Sequence, residues 1–128
     1  MNDTDFDDWL RATYAETDGF TLLIVLIGIG DGRVDLLRST HLHVIGDEIT
    51  WPDMAAHFDA AGVSWNAVAM FLADRDGLVE DALARDRLDA LVRALNGDRT
   101  LIREGAFFNR DGLHLRLDDA EPQVPILN

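Results

Sequence analysis

The chain has 128 residues, 48 % of them apolar, and contains neither cysteine nor lysine; 19 aspartates and 5 glutamates face 11 arginines, for a net charge of −13. That length and apolar share suit one domain over 1–128 with a sizeable core. The missing residue types exclude disulfides, thiolate metal sites, cysteine nucleophiles, Schiff-base chemistry and lysine-dependent phosphate binding, while the charge opposes nucleic acid and anionic lipid and favours cationic or neutral partners.

The start, Met1-Asn2-Asp3-Thr4-Asp5, is acidic where a secretory signal is basic. Phe6, Trp9, Leu10, Thr13, Tyr14 and Thr17 then recur at helical spacing and Asp18-Gly19 stops the turn, which predicts a helix from about 4 to 17. Phe20 to Ile29 is about half the length that spans a bilayer; with the absence of cysteine it gives the expectation of a cytoplasmic protein without a membrane span. Being apolar at successive positions, the same run reads as a central strand covered on both faces. Arg33 to Ile45 alternates Val34, Leu36, Leu42 and Val44 with Arg33, Asp35, His41 and His43, the pattern of a strand with one wet face. Gly30-Asp31-Gly32 joins the two as a hairpin, because the tightest turns need positive φ and glycine tolerates it.

Thr50 and Asp53 form a capping box around Pro52, with Ile49 placed to staple onto Met54. The helix they start runs from about 51 to 61, buries Met54, Ala55, Phe58 and Ala61, and ends at Gly62. Ala67 to Ala73 is apolar throughout, and its shortness favours a buried strand over a helix. Val79, Leu83, Ala84, Leu88, Leu91, Val92 and Leu95 form one stripe of a long helix that stops at Asn96-Gly97. Thr100 to Arg110 and Leu113 to Leu117 flank Asp111-Gly112 as a second hairpin, and residues 118–128, with Pro122 and Pro125, read as an irregular tail. The order α-β-β-α-β-α-β-β defines an α+β fold with a largely antiparallel sheet packed by helices.

Two positions apart on a strand, His41 and His43 leave the same face and can converge on one metal ion. Asp35 on that strand, or Asp47 or Glu48 beyond its end, would complete a set of two histidines and one carboxylate. No cofactor is expected. Gly28-Ile29-Gly30-Asp31-Gly32 has Arg33 where a dinucleotide-binding turn needs its third glycine, and a strand rather than a helix follows. The only serines are Ser39 and Ser64, and Gly62-Val63-Ser64-Trp65-Asn66 lacks the second glycine of a nucleophile elbow, so no catalytic residue is named.

Ala61-Gly62-Val63-Ser64, with Val68 beyond, resembles the turn of the LacI-type helix-turn-helix family. That resemblance implies a DNA-binding unit over residues 54–72 whose second helix presents Ser64, Trp65, Asn66, Ala69 and Met70, a set without the basic side chains that phosphate requires. Trp51, in the first turn of its helix, is an aromatic of the kind that anchors protein interfaces. Asp47, Glu48 and Asp53 surround it on a segment, 46–61, that holds no arginine.

The leading expectation is therefore a small acidic module without catalytic activity, binding a protein partner of basic character or itself as a homodimer, through Trp51, Asp47, Glu48 and Asp53 or through the free edge strand 113–117. The alternatives are a helix-turn-helix DNA-binding regulator and a small metal-dependent enzyme using His41 and His43.

Overall fold

The structure, a computed structural model, describes residues 4–30, 33–46, 48–75 and 77–115. Helix α1, Asp5–Thr17, begins at a capping box: Thr4 Oγ1 accepts the Asp7 N–H at 3.2 Å and the Asp7 carboxylate accepts the Thr4 N–H at 2.9 Å. The other oxygen of Asp7 accepts the backbone N–H of Trp51 at 3.0 Å, so this buried acid ties one helix start to the next. The chain leaves α1 through Asp18 in the left-handed region, φ 59°.

Strands β1, Phe20–Gly30, and β2, Arg33–Val44, form an antiparallel pair in which Gly30 faces Arg33. The Asp31-Gly32 turn between them lies outside the described residues. Helix α2, Trp51–Asp59, has the expected Thr50–Asp53 capping box. Strand β3, Ala67–Leu72, pairs antiparallel with β1; helix α3, Asp81–Gly97, follows, then a short 3-10 helix, Arg99–Glu104, and strand β4, Ala106–Asn109, antiparallel to β3. The sheet order is β2-β1-β3-β4. An α+β fold on an antiparallel sheet is thus the architecture.

Alternation along β1 assigns the two faces of the sheet. Leu22, Ile24 and Leu26 pack with Phe6 and Leu10 of α1, Met54 and Phe58 of α2, and Trp65 and Phe108. Val25 and Ile27 pack instead with Leu95 of α3 and Ile102, and Leu23 with Leu88. Helices therefore cover both sides, which is why β1 carries no solvent-facing stripe over its first eight residues. Each fully buried Leu or Ile side chain there contributes about 1.5–3 kcal/mol. Among the described residues no helix is long and apolar enough to cross a membrane.

Three expectations change. The helix-turn-helix over 54–72 fails because its second helix does not exist: Ala67–Leu72 is β3, buried between β1 and β4. The strand expected from Thr100 starts only at Ala106. Asp98 accepts the Thr100 N–H at 3.0 Å and winds Arg99–Glu104 into the 3-10 helix, which seats Ile102 in the core. After Asp111-Gly112, with Gly112 at φ 77°, the chain does turn back, but the return is a single bridge, Phe108 to His114, and positions 116 and 117 of the expected edge strand lie outside the described residues. The long strand at a sheet edge is β2 instead.

Candidate metal centre

His41 and His43 lie opposite Leu23 and Thr21 of β1, on the face that α3 covers. There α3 delivers its first residue, Asp81. Its Oδ1 is 2.5 Å from His43 Nε2 and 3.2 Å from His41 Nε2, across 38 and 40 positions of sequence. One ligand atom from each of the three residues lies within 4.8 Å of the others. The two rings meet edge to face with centroids 5.4 Å apart. Burial grades outward, from 19 % exposure of the His41 side chain through 32 % for His43 to 64 % for Asp81, so the group opens to solvent at the carboxylate.

The far side of His43 is held from within the sheet. Thr21 Oγ1 is 2.8 Å from His43 Nδ1 and accepts the Val79 N–H at 3.1 Å, just before α3 begins. The imidazole is thus fixed at both nitrogens, by a buried hydroxyl and by an exposed carboxylate. Hydrogen bonds from His43 first and His41 second hold the Asp81 carboxyl below the usual carboxylate range.

Of the residues expected to serve this site, the structure brings together His41 and His43 but supplies a different acid. Asp35 is on the opposite face. Leu26 pairs with Arg38 and Ile27 with Leu36, so Leu37 is an extra residue, a β-bulge, and the alternation of β2 changes phase across it. Val34 and Leu36 consequently point toward α3, while Asp35 pairs across from Gly28 and meets Arg33 at 3.2 Å. Asp47 lies outside the described residues. Glu48 is exposed ahead of α2 and is not among the three converging donors. Asp53, also exposed, accepts the Thr50 hydroxyl at 3.0 Å in the α2 cap.

Trp51 is not a surface anchor. It is 5 % exposed, packs on Phe6, Phe58, Trp65 and Phe108, and donates its indole N–H to the Arg110 carbonyl at 2.8 Å. The return turn at Gly112 closes over it, so the aromatic that leads α2 is a core residue.

Two imidazoles and a carboxylate suit a borderline divalent ion such as zinc, nickel, cobalt or iron(II), and suit magnesium or calcium poorly, since those ions take oxygen sets. Three protein ligands leave at least one coordination position open. The amino end of α3 is the positive end of its dipole, which favours Asp81 as an anion and works against a cation beside it. A cleft of about 750 Å³ lies elsewhere, between Trp9, Phe71, Arg87, Glu104 and His114, and its walls mix carboxylates with arginines so that no single ligand charge is selected. Comparison with protein-family models, with curated proteins and with solved structures gave no match.

Proposed function

We propose that this chain is a small binding module without catalytic activity whose ligand is a divalent transition-metal ion held by His41, His43 and Asp81. One observation carries the reading: two Nε2 atoms on a strand and a carboxylate oxygen from a distant helix converge on one point. Each of the two hydrogen bonds between them can be replaced by a bond to an ion, because a neutral imidazole offers a lone pair wherever it gives up its proton. The centre sits on an open corner of the sheet, and the 750 Å³ cleft is lined by other residues; binding rather than turnover is what this arrangement supports. The cysteine-free composition supports a cytoplasmic setting within the same reading.

The test is titration of the intact protein with zinc(II), nickel(II) and cobalt(II), followed by melting temperature and by the visible absorption of cobalt. Expected are a rise in melting temperature with each ion, no response to magnesium or calcium, and loss of the response in the double variant His41→Ala, His43→Ala and in Asp81→Asn. An unchanged melting temperature with all three transition ions overturns the reading, since an ion bound only by the native state must raise it.

Self-association is a second reading with its own observation. Strand β2, 12 residues long, forms one edge of the sheet, and a long edge can pair with a second copy across a two-fold axis. Native mass spectrometry decides it: a dimer dispersed by Thr40→Pro supports pairing, and a monomer at 100-fold varied concentration removes it. A basic protein partner would meet exposed Glu48 and Asp53 without help from Trp51, and its binding would fade with salt.

A further inference from the structure

We infer that Thr21 is a positioning residue for His43, a reversible hydrogen-bond partner that lets the ring present Nε2 either as a proton donor to Asp81 or as a lone pair to a metal ion. The inference rests on the metal reading for its second half only. Thr21 is fully buried, a hydroxyl inside the otherwise apolar run Phe20–Ile27, where valine has the same shape and a comparable preference for strands. A buried hydroxyl is tolerated when it is bonded, and the surroundings of Thr21 satisfy it in two ways. Its Oγ1 accepts the Val79 N–H at 3.1 Å, stands 2.8 Å from His43 Nδ1, and reaches the Val79 carbonyl oxygen at 3.5 Å. The hydroxyl hydrogen therefore has two acceptors between which a rotation about the C–O bond can move it.

With no ion bound, a neutral His43 has one ring proton, and the 2.5 Å approach of Nε2 to an ionised Asp81 places it on Nε2. Nδ1 is then a lone pair and takes the Thr21 hydroxyl hydrogen. When an ion occupies Nε2, the ring proton must sit on Nδ1, and Nδ1 donates to Thr21 Oγ1. The hydroxyl, still carrying its own hydrogen, turns to the Val79 carbonyl. One proton leaves Nε2 for water and one reaches Nδ1 from water, so the ring stays neutral throughout. A side chain at position 21 that can only donate or only accept would serve one of these states and oppose the other.

The experiment compares wild type with Thr21→Val, which keeps shape and removes the hydroxyl, and Thr21→Ser, which restores it. Zinc affinity is measured by chelator competition, and the ring protons of His43 are located from two-bond hydrogen–nitrogen spectra with and without zinc. Wild type should show the proton on Nε2 without zinc and on Nδ1 with it. Thr21→Val should bind zinc about 10–100-fold more weakly, the usual cost of losing an outer partner of a ligating histidine, and its zinc-free ring should populate both tautomers. Thr21→Ser should return affinity to within a few-fold of wild type. A folded Thr21→Val with wild-type affinity and wild-type tautomers overturns the inference. So does a wild-type ring whose proton stays on one nitrogen whether or not zinc is bound, a measurement that decides the matter even if Thr21→Val does not fold. If wild type binds no zinc, the metal reading falls alone; the zinc-free spectra then judge Thr21, with an Nδ1 proton in wild type counting against it.

Discussion

Asp59 and Asp81 each hold one carboxylate oxygen between two nitrogens, and the two sites behave differently because of what those nitrogens are. At the end of α2, Asp59 Oδ1 accepts from Trp65 Nε1 at 2.9 Å and from Arg110 Nη2 at 2.9 Å, while Arg110 Nη1 donates to the Trp65 carbonyl at 2.8 Å and the guanidinium lies 4.3 Å from the center of the Trp65 ring. Indole and guanidinium keep their protons at every physiological pH and have no lone pair to offer. Asp59 is therefore a lock that fastens α2 to the β4 turn, and it offsets the unfavourable position of an acid at the carboxyl end of a helix. Asp81 stands at the favourable end of α3, and its donors are imidazoles. The same geometry with exchangeable protons is the one proposed above as an ion site.

Breaking the lock should have the largest effect. Trp65→Ala removes a 2 % exposed ring from the main core and is expected to cost about 3–5 kcal/mol in urea unfolding, while the zinc response of the remaining folded protein persists. Breaking the site should act chiefly on the zinc response. Replacing both His41 and His43 by alanine removes two part-buried rings, 19 % and 32 % exposed, and should lower ion-free stability by about 1–2 kcal/mol, less than the Trp65 change, but should abolish the zinc-dependent gain, which in wild type reaches about 2.7 kcal/mol at a hundred times the dissociation constant. The single changes Asp59→Asn and Asp81→Asn sharpen the contrast: both should lower the urea midpoint, since each removes a carboxylate held by two donors, but the first should spare zinc binding and the second should remove it. The smallest effect is in acid. The Asp59 carboxyl is held down by Arg110 and then Trp65, and the Asp81 carboxyl by His43 and then His41, both below the ordinary 3.8. A lowered folded-state value contributes stability that is complete above the unfolded value and is lost as pH falls through the folded one. Urea midpoints should therefore decline below about pH 4, and each Asn variant should flatten part of that decline.

Local signals were sufficient for most of the fold. The boxes Thr4–Asp7 and Thr50–Asp53 mark helix starts by bonds within one turn, and the uninterrupted apolar β1 announces that both its faces are covered. The same locality explains the failures. The 3-10 helix at Arg99–Glu104 starts from the two bonds that Asp98 accepts from the Thr100 N–H and hydroxyl, which compete with a plausible strand pattern. Trp51 is polar enough at its N–H to suggest a surface, and only the return of Arg110 in space reveals its partner. His41 and His43 were legible as a pair from their spacing. Asp81 was not, because no spacing links the first residue of a helix to a strand about 40 positions earlier. Thr21 did leave a trace in the sequence, as a lone hydroxyl within an apolar strand.

The extra residue at Leu37 divides β2 into two stretches that keep separate time. Residues on the Val34 side can gain or lose a position near the turn, and the bulge can absorb the change without rotating the imidazoles away from α3. The stretch that carries His41 and His43 is in this way uncoupled from the pairing of Arg33–Leu36.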